Sequence, residues 1–182
     1  LQRIFVMKDI KFSRPVSVLD LDDGDYLRQS IDADAEECQA LAGWFSIAGV
    51  ESLHADVLLK RHGRQVLAET EVTARIEQTC VVSLQPLKLT VEDTYTRAFD
   101  PDVRPSGEFD ETIDLDLGSE DPPEPLVDDV IDIGKMVAEQ LGLALDPYPR
   151  AKGASIDPRY VELEAPKRDN PFAALKGLKL DG

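Results

Sequence analysis

Leu53-His54-Ala55-Asp56-Val57-Leu58-Leu59-Lys60 is followed by Arg61-His62-Gly63-Arg64 and then by a second patterned run from Val66 to Glu77. In the first run Leu53, Ala55, Val57 and Leu59 alternate with His54, Asp56, Leu58 and Lys60. A period of two marks a half-buried strand, because successive side chains point to opposite faces. In the second run Val66, Ala68, Thr70, Val72, Ala74 and Ile76 share one face, and Leu67, Glu69, Glu71, Thr73, Arg75 and Glu77 share the other. The glycine-containing interval between them predicts a long antiparallel hairpin. A third run after Pro86 places Leu87, Leu89, Val91, Tyr95 and Phe99 on one face, with Asp93 interrupting it. Leu58 and Leu67 lie on the polar side, so a helix is expected to cover that side as well.

Toward the N-terminus, Arg14–Leu19 and Tyr26–Ile31 read as two short strands separated by Asp22-Asp23-Gly24. Asp32 or Asp34 caps a helix whose first turn holds Glu36 and Glu37, where the helix dipole favours negative charge. Leu41, Trp44 and Phe45 give that helix an apolar face, and it ends between Gly43 and Gly49. Toward the C-terminus, Val130, Ile133, Val137 and Leu141 recur at helical spacing behind Asp128 and Asp129, and Pro147 stops the pattern. Asn170 is placed to cap a short terminal helix with Pro171 at its first position, and Phe172, Leu175 and Leu178 would face a partner surface. The expected fold is α+β: a curved antiparallel sheet, partly barrel-like, backed by two or three helices. It carries an acidic loop insert and a helical tail within one domain spanning 1–182.

Charge divides the chain. The 182 residues carry 36 Asp and Glu against 20 Lys and Arg, a net −16. Thirteen of the acidic residues fall between Asp100 and Asp132, against the single Arg104. Pro101, Pro105, Pro122, Pro123 and Pro125 fall in the same stretch, so residues 100–129 read as an acidic, Pro-rich insert or linker. Residues 151–182 read as an extended tail ending in the short helix. The overall sign opposes non-specific nucleic-acid binding, which cationic side chains drive by displacing counterions. It favours encounter with basic proteins. A local route to RNA would run through Lys60, Arg61 and Arg64, or through the tail cations.

Other chemistries lack their residues. Cys38, His54, His62 and Cys80 match the spacing of no zinc finger or ribbon, and no phosphate-binding loop, dinucleotide fingerprint or nucleophile elbow occurs. No cofactor, no metal and no catalytic group is expected. Both histidines read as surface imidazoles. Cys38 reads as a small buried side chain in a helix, and Cys80, at a strand end, as the more accessible thiol, with both reduced. No apolar run reaches the roughly 18 residues of a membrane span, and no leader pattern opens the sequence, so a cytoplasmic protein with no membrane partner is expected.

Five stretches carry a resemblance. They are Phe12-Ser13-Arg14-Pro15, Glu77-Gln78-Thr79-Cys80-Val81-Val82-Ser83-Leu84-Gln85-Pro86, and Ile131-Asp132-Ile133-Gly134. The others are Glu139-Gln140-Leu141-Gly142-Leu143-Ala144-Leu145-Asp146-Pro147-Tyr148-Pro149-Arg150 and Asn170-Pro171-Phe172. In this order they resemble the YceD family, bacterial and plastid proteins linked to accumulation of large-subunit ribosomal RNA, in a form similar to its alphaproteobacterial branch. Many members look like Cys-x-x-Cys at the central loop with further cysteines after the late helix, an arrangement suited to metal. Here Ser83 stands at the second loop position and Tyr148 to Tyr160 contains no cysteine, so that site is not carried over.

The resemblance implies a non-enzymatic role in making or stabilising the large ribosomal subunit. The expected partner is a basic ribosomal protein or a ribosome assembly intermediate. Direct binding of precursor ribosomal RNA and an RNA-processing activity with an unrecognised site are the alternatives. Cys80, Pro86, Tyr148, Arg150, Asn170, Pro171, Phe172 and Lys176 are the candidate interaction residues. Simple packing or turn geometry is the competing explanation for Cys80, Pro86, Tyr148 and Phe172.

Overall fold

The computed structural model describes residues 11–103 and 122–156. Strands β3 (Gly49–His62), β4 (Gln65–Thr79) and β5 (Pro86–Asp100) form an antiparallel meander. Strand β2 (Tyr26–Asp32) flanks β3, and the two-residue β6 (Glu124–Pro125) lies parallel to β5, giving the order β2-β3-β4-β5-β6. Strand β1 (Pro15–Ser17) pairs with β7 (Val130–Asp132) in a separate ribbon. The β3–β4 turn is Gly63-Arg64, and Gly63 takes φ +59°, where a side chain would be strained.

The alternating pattern puts Leu53, Ala55, Val57 and Leu59 of β3 beside Val66, Ala68, Val72, Ala74 and Ile76 of β4 on one face, all buried. Helices α1 (Ala35–Phe45) and α2 (Ile133–Ala144) both cover this face, and Leu41, Ile133, Met136, Val137 and Leu141 join the same core. Asp93, which interrupts the apolar face of β5, is the seat for α2, because its carboxylate accepts from Gln140 Nε2 at 2.7 Å. Four residues further on, on the same face, Arg97 donates to Glu139 of α2 and to Glu124 of β6, each at 3.0 Å. Polar seats of this kind fix where α2 sits along the sheet, a register that apolar contacts alone specify weakly.

Several expectations are corrected. The sheet is open rather than barrel-like, since β2 and β6 end the strand order without pairing to each other. Among the described residues there are two helices, and neither covers the polar face. Leu58 and Leu67 are instead half-buried among their cross-strand neighbours Arg28, Glu69, Lys60 and Ala98, whose stems shield apolar surface. Of the two caps offered for α1, Asp34 takes the role, in a capping box where Asp34 accepts from Glu37 N–H and Glu37 accepts from Asp34 N–H. Asp32 belongs to β2 and holds His54.

The late helix begins at Ile133 behind its cap Asp132, not at Val130. Asp128 and Asp129 take φ +55° and +52° in the turn before β7. Two successive left-handed residues make the tight turn that a short antiparallel pairing needs, and Val127 and Val130 pair across it. The acidic stretch is described only at its two ends, and the predicted tail helix lies outside the described residues.

Candidate interaction surface

The segments singled out in the sequence meet in pairs. In the first pair, the backbone N–H of Arg14 donates to Asp132 Oδ1 at 2.8 Å and Ser13 Oγ donates to Asp132 Oδ2 at 2.7 Å. Asp132 Oδ1 also accepts from Lys135 N–H at 3.0 Å, so one carboxylate caps α2 and ties the N-terminal segment to it. Arg14 reaches α1 at the same time, with Nη1 donating to Glu37 Oε1 at 2.7 Å and Nη2 donating to Glu37 Oε2 at 2.9 Å. This bidentate pair holds the Glu37 carboxyl below its ordinary range and raises the Arg14 guanidinium. Gly134 makes the approach possible, because a Cβ there would stand 2.9 Å from Arg14 N and 3.0 Å from Phe12 O.

In the second pair, the β4–β5 connection meets the chain after α2. Val81 N–H donates to Pro149 O at 2.9 Å, and Gln78 Nε2 donates to Asp146 O at 3.0 Å. Cys80 sits between them with no exposed surface, which corrects the expectation that it is the more accessible thiol; both cysteines are free and buried. The strand end is roofed by the returning segment. Cys80 Sγ accepts from Ala151 N–H at 3.3 Å and from Ser83 N–H at 3.4 Å. These donors, Ala151 first, pull the thiol down to about 6. Burial pushes the Cys38 thiol up.

Of the predicted interaction residues, the structure brings Cys80 together with the Tyr148–Arg150 segment. Pro86 pairs with Thr79 at the start of β5 and is exposed. Tyr148 is 70% exposed, Arg150 is exposed, and Val81 and Leu84 beside them are also exposed, giving this end of the sheet an apolar rim. Asn170, Pro171, Phe172 and Lys176 lie outside the described residues.

Among the described residues, the surroundings of Cys80 do not fit a metal. A structural zinc needs four ligands, and this site supplies one thiolate ringed by N–H donors. Among the described residues no group of three or more His, Cys, Asp or Glu could hold an ion. The hairpin cations also differ from what an RNA surface would show. Lys60 pairs with Glu69, Arg61 lies 3.6 Å from Asp129 and donates to the carbonyls of Val18 and Leu21, and Arg64 pairs with Asp102 at 2.9 Å.

Sequence reading missed one feature. Trp44 and Phe45, read as the apolar face of α1, are only half-buried, and with Leu143 they line an open groove between the two helices. The signal was available: Cys38, Leu41 and Ala42 already fill the core side of α1.

Among the described residues these features define an α+β fold with an open, mostly antiparallel sheet, two helices on one face, and marked segments that work in pairs to fasten helix ends and loops. The chain belongs to the YceD family, described as large ribosomal RNA subunit accumulation protein YceD, whose model matches residues 68–179. The match covers the Cys80 loop, α2 and the Asn170-Pro171-Phe172 motif, while the Phe12–Pro15 segment precedes it. No curated protein and no solved structure matches the chain. The family's name assigns it a role in accumulation of large-subunit ribosomal RNA. Among the described residues no helix is long and apolar enough to cross a membrane.

Proposed function

We propose that the protein is a non-enzymatic, cytoplasmic factor that supports large-subunit ribosomal RNA accumulation by holding a basic ribosomal protein or an assembly intermediate. The observation that carries this reading is the distribution of charge: thirteen carboxylates between Asp100 and Asp132 against one arginine, of which Asp102, Glu124 and Asp129 pair with Arg64, Arg97 and Arg61 of the sheet. Such a strip attracts cationic segments over about a Debye length and speeds their encounter. The engagement of Lys60, Arg61 and Arg64 with carboxylates favours a protein partner over RNA at the hairpin. The acidic strip and the Tyr148–Arg150 rim are the contacts expected to meet it.

Affinity capture from lysate at low and high ionic strength tests the proposal. Basic ribosomal proteins should co-purify at low salt and be lost at high salt. Their absence at low salt overturns it. Micromolar binding of precursor ribosomal RNA by the protein alone would replace it with direct RNA recognition.

A further inference from the structure

We propose that the groove between α1 and α2 is the seat of the chain's own C-terminal segment, Asn170–Leu178. The groove consists of two adjoining hollows of about 400 Å³ and 600 Å³ that share Phe45, Ser46 and Gly142. At one end lie Trp44 and Leu143, the latter 76% exposed, a large apolar side chain that the fold leaves uncovered. Gly142 keeps the floor open, because a Cβ there would stand 2.9 Å from the Phe45 ring. At the other end lies Gln78, only 6% exposed, whose Oε1 has no hydrogen-bond partner among the described residues. A buried acceptor without a donor is costly and calls for one from an occupant.

The occupant is argued from pattern, reach and charge. Phe172, Leu175 and Leu178 recur every three residues, a spacing that would line one face of a helical segment, and an apolar helix face laid into an apolar groove is a recurrent recognition mode. Pro149 lines the groove, so the chain leaves α2 along it. Thirteen residues separate Ile156 from Asn170. Extended, that tether spans about 43 Å, enough to turn back along a groove formed by two short helices. A tether of this length gives an effective concentration on the order of 1 mM, so even a segment with weak intrinsic affinity fills its seat. Residues 170–180 carry Lys176 and Lys179 and no acidic residue, whereas Glu124, Glu139 and Asp146 border the groove against the single cation described there, Arg97, which pairs with both glutamates, so the rim keeps a net negative charge. This inference stands apart from the proposed function and holds whether or not ribosomal proteins bind.

Trp44 is the only tryptophan and lies in the seat, so its fluorescence reads occupancy directly. In the full chain, the double substitution Phe172→Asp with Leu175→Asp should shift Trp44 emission to the red and remove its protection from acrylamide. Leu143→Lys should do the same from the groove side, and a synthetic peptide of residues 168–180 added to the double variant should restore the wild-type signal. Identical emission and quenching in wild type and both variants overturn the proposal. Two further results also overturn it: protection in the wild type that disappears on dilution, which assigns the groove to a second copy, and protection that appears only when a ribosomal protein is added.

Discussion

The Ala151 backbone N–H donates to the Cys80 sulfur at 3.3 Å, joining residues 71 positions apart in the chain. With Ser83 N–H on the same atom, one sulfur serves as the acceptor that fastens the segment after α2 to the end of β4.

The Cys80 thiol, pulled down to about 6, should be ionised at neutral pH. A group whose pKa falls on folding contributes stability that is complete above its unfolded value and is lost as pH falls through the folded one. Thiolate absorbance of a Cys38→Ala variant should therefore titrate near 6, and stability relative to Cys80→Ala should decline as pH falls from the ordinary thiol value to about 6. A midpoint at the ordinary thiol value rules this out. Because the sulfur has no exposed surface, alkylation of the native protein should nonetheless be slow.

Gly134→Ala is expected to destabilise the protein by about 1–3 kcal/mol, because the new methyl meets backbone atoms of Phe12, Ser13 and Arg14 that cannot rotate away. Denaturant titration measures it. A loss within error of zero would mean the N-terminal segment shifts freely.

Arg14→Met removes both hydrogen bonds to Glu37 and should cost about 1–2 kcal/mol near neutral pH. The Glu37 pKa is lowered on folding, chiefly by Arg14. Its contribution is therefore present above the ordinary carboxyl range and fades as pH falls through the folded value. The stability difference between wild type and variant should shrink in acid, and a difference that grew would contradict the ion pair.

His54 titrates in the opposite sense. Its Nδ1 lies 2.8 Å from Asp32 Oδ1 and its Nε2 lies 3.5 Å from Asp56 Oδ2, and the Asp32 bond first raises its pKa. The gain is complete below the unfolded value and is lost as pH rises through the folded one. Wild type should exceed His54→Gln in melting temperature at about pH 5.5 and match it at about pH 8.5. The side chain is 44% exposed, so solvent screens the effect and keeps it small. An equal difference at both pH values would remove the carboxylates as its cause.

The three long strands were legible because alternation over Leu53–Phe99 is a property of the local sequence, and burial follows it almost residue by residue. Asp34 was one of the two caps that spacing offered for α1, and the pairing of Asp32 in β2 decides between them. The cap of α2, Asp132, lies three to four residues beyond Asp128 and Asp129, which satisfy the same local preference but are taken by a left-handed turn. Leu58 and Leu67 misled because apolar side chains on an exposed face need only long neighbours, not a helix, to be half-covered. The meeting of Asp132 with Arg14 and of Cys80 with Ala151 was not legible at all. Each joins residues more than seventy positions apart through atoms that no periodicity encodes.

Strand β6 runs alongside the end of β5, setting Phe99 opposite Glu124 and Asp100 opposite Pro125. The two mouths of the acidic stretch are thus held side by side whatever lies between them. Halving or doubling the number of intervening residues should change closure entropy by only about 0.6 kcal/mol. The number of residues between those two ends can therefore be retuned, by engineering or by descent, while the body that carries them keeps its shape.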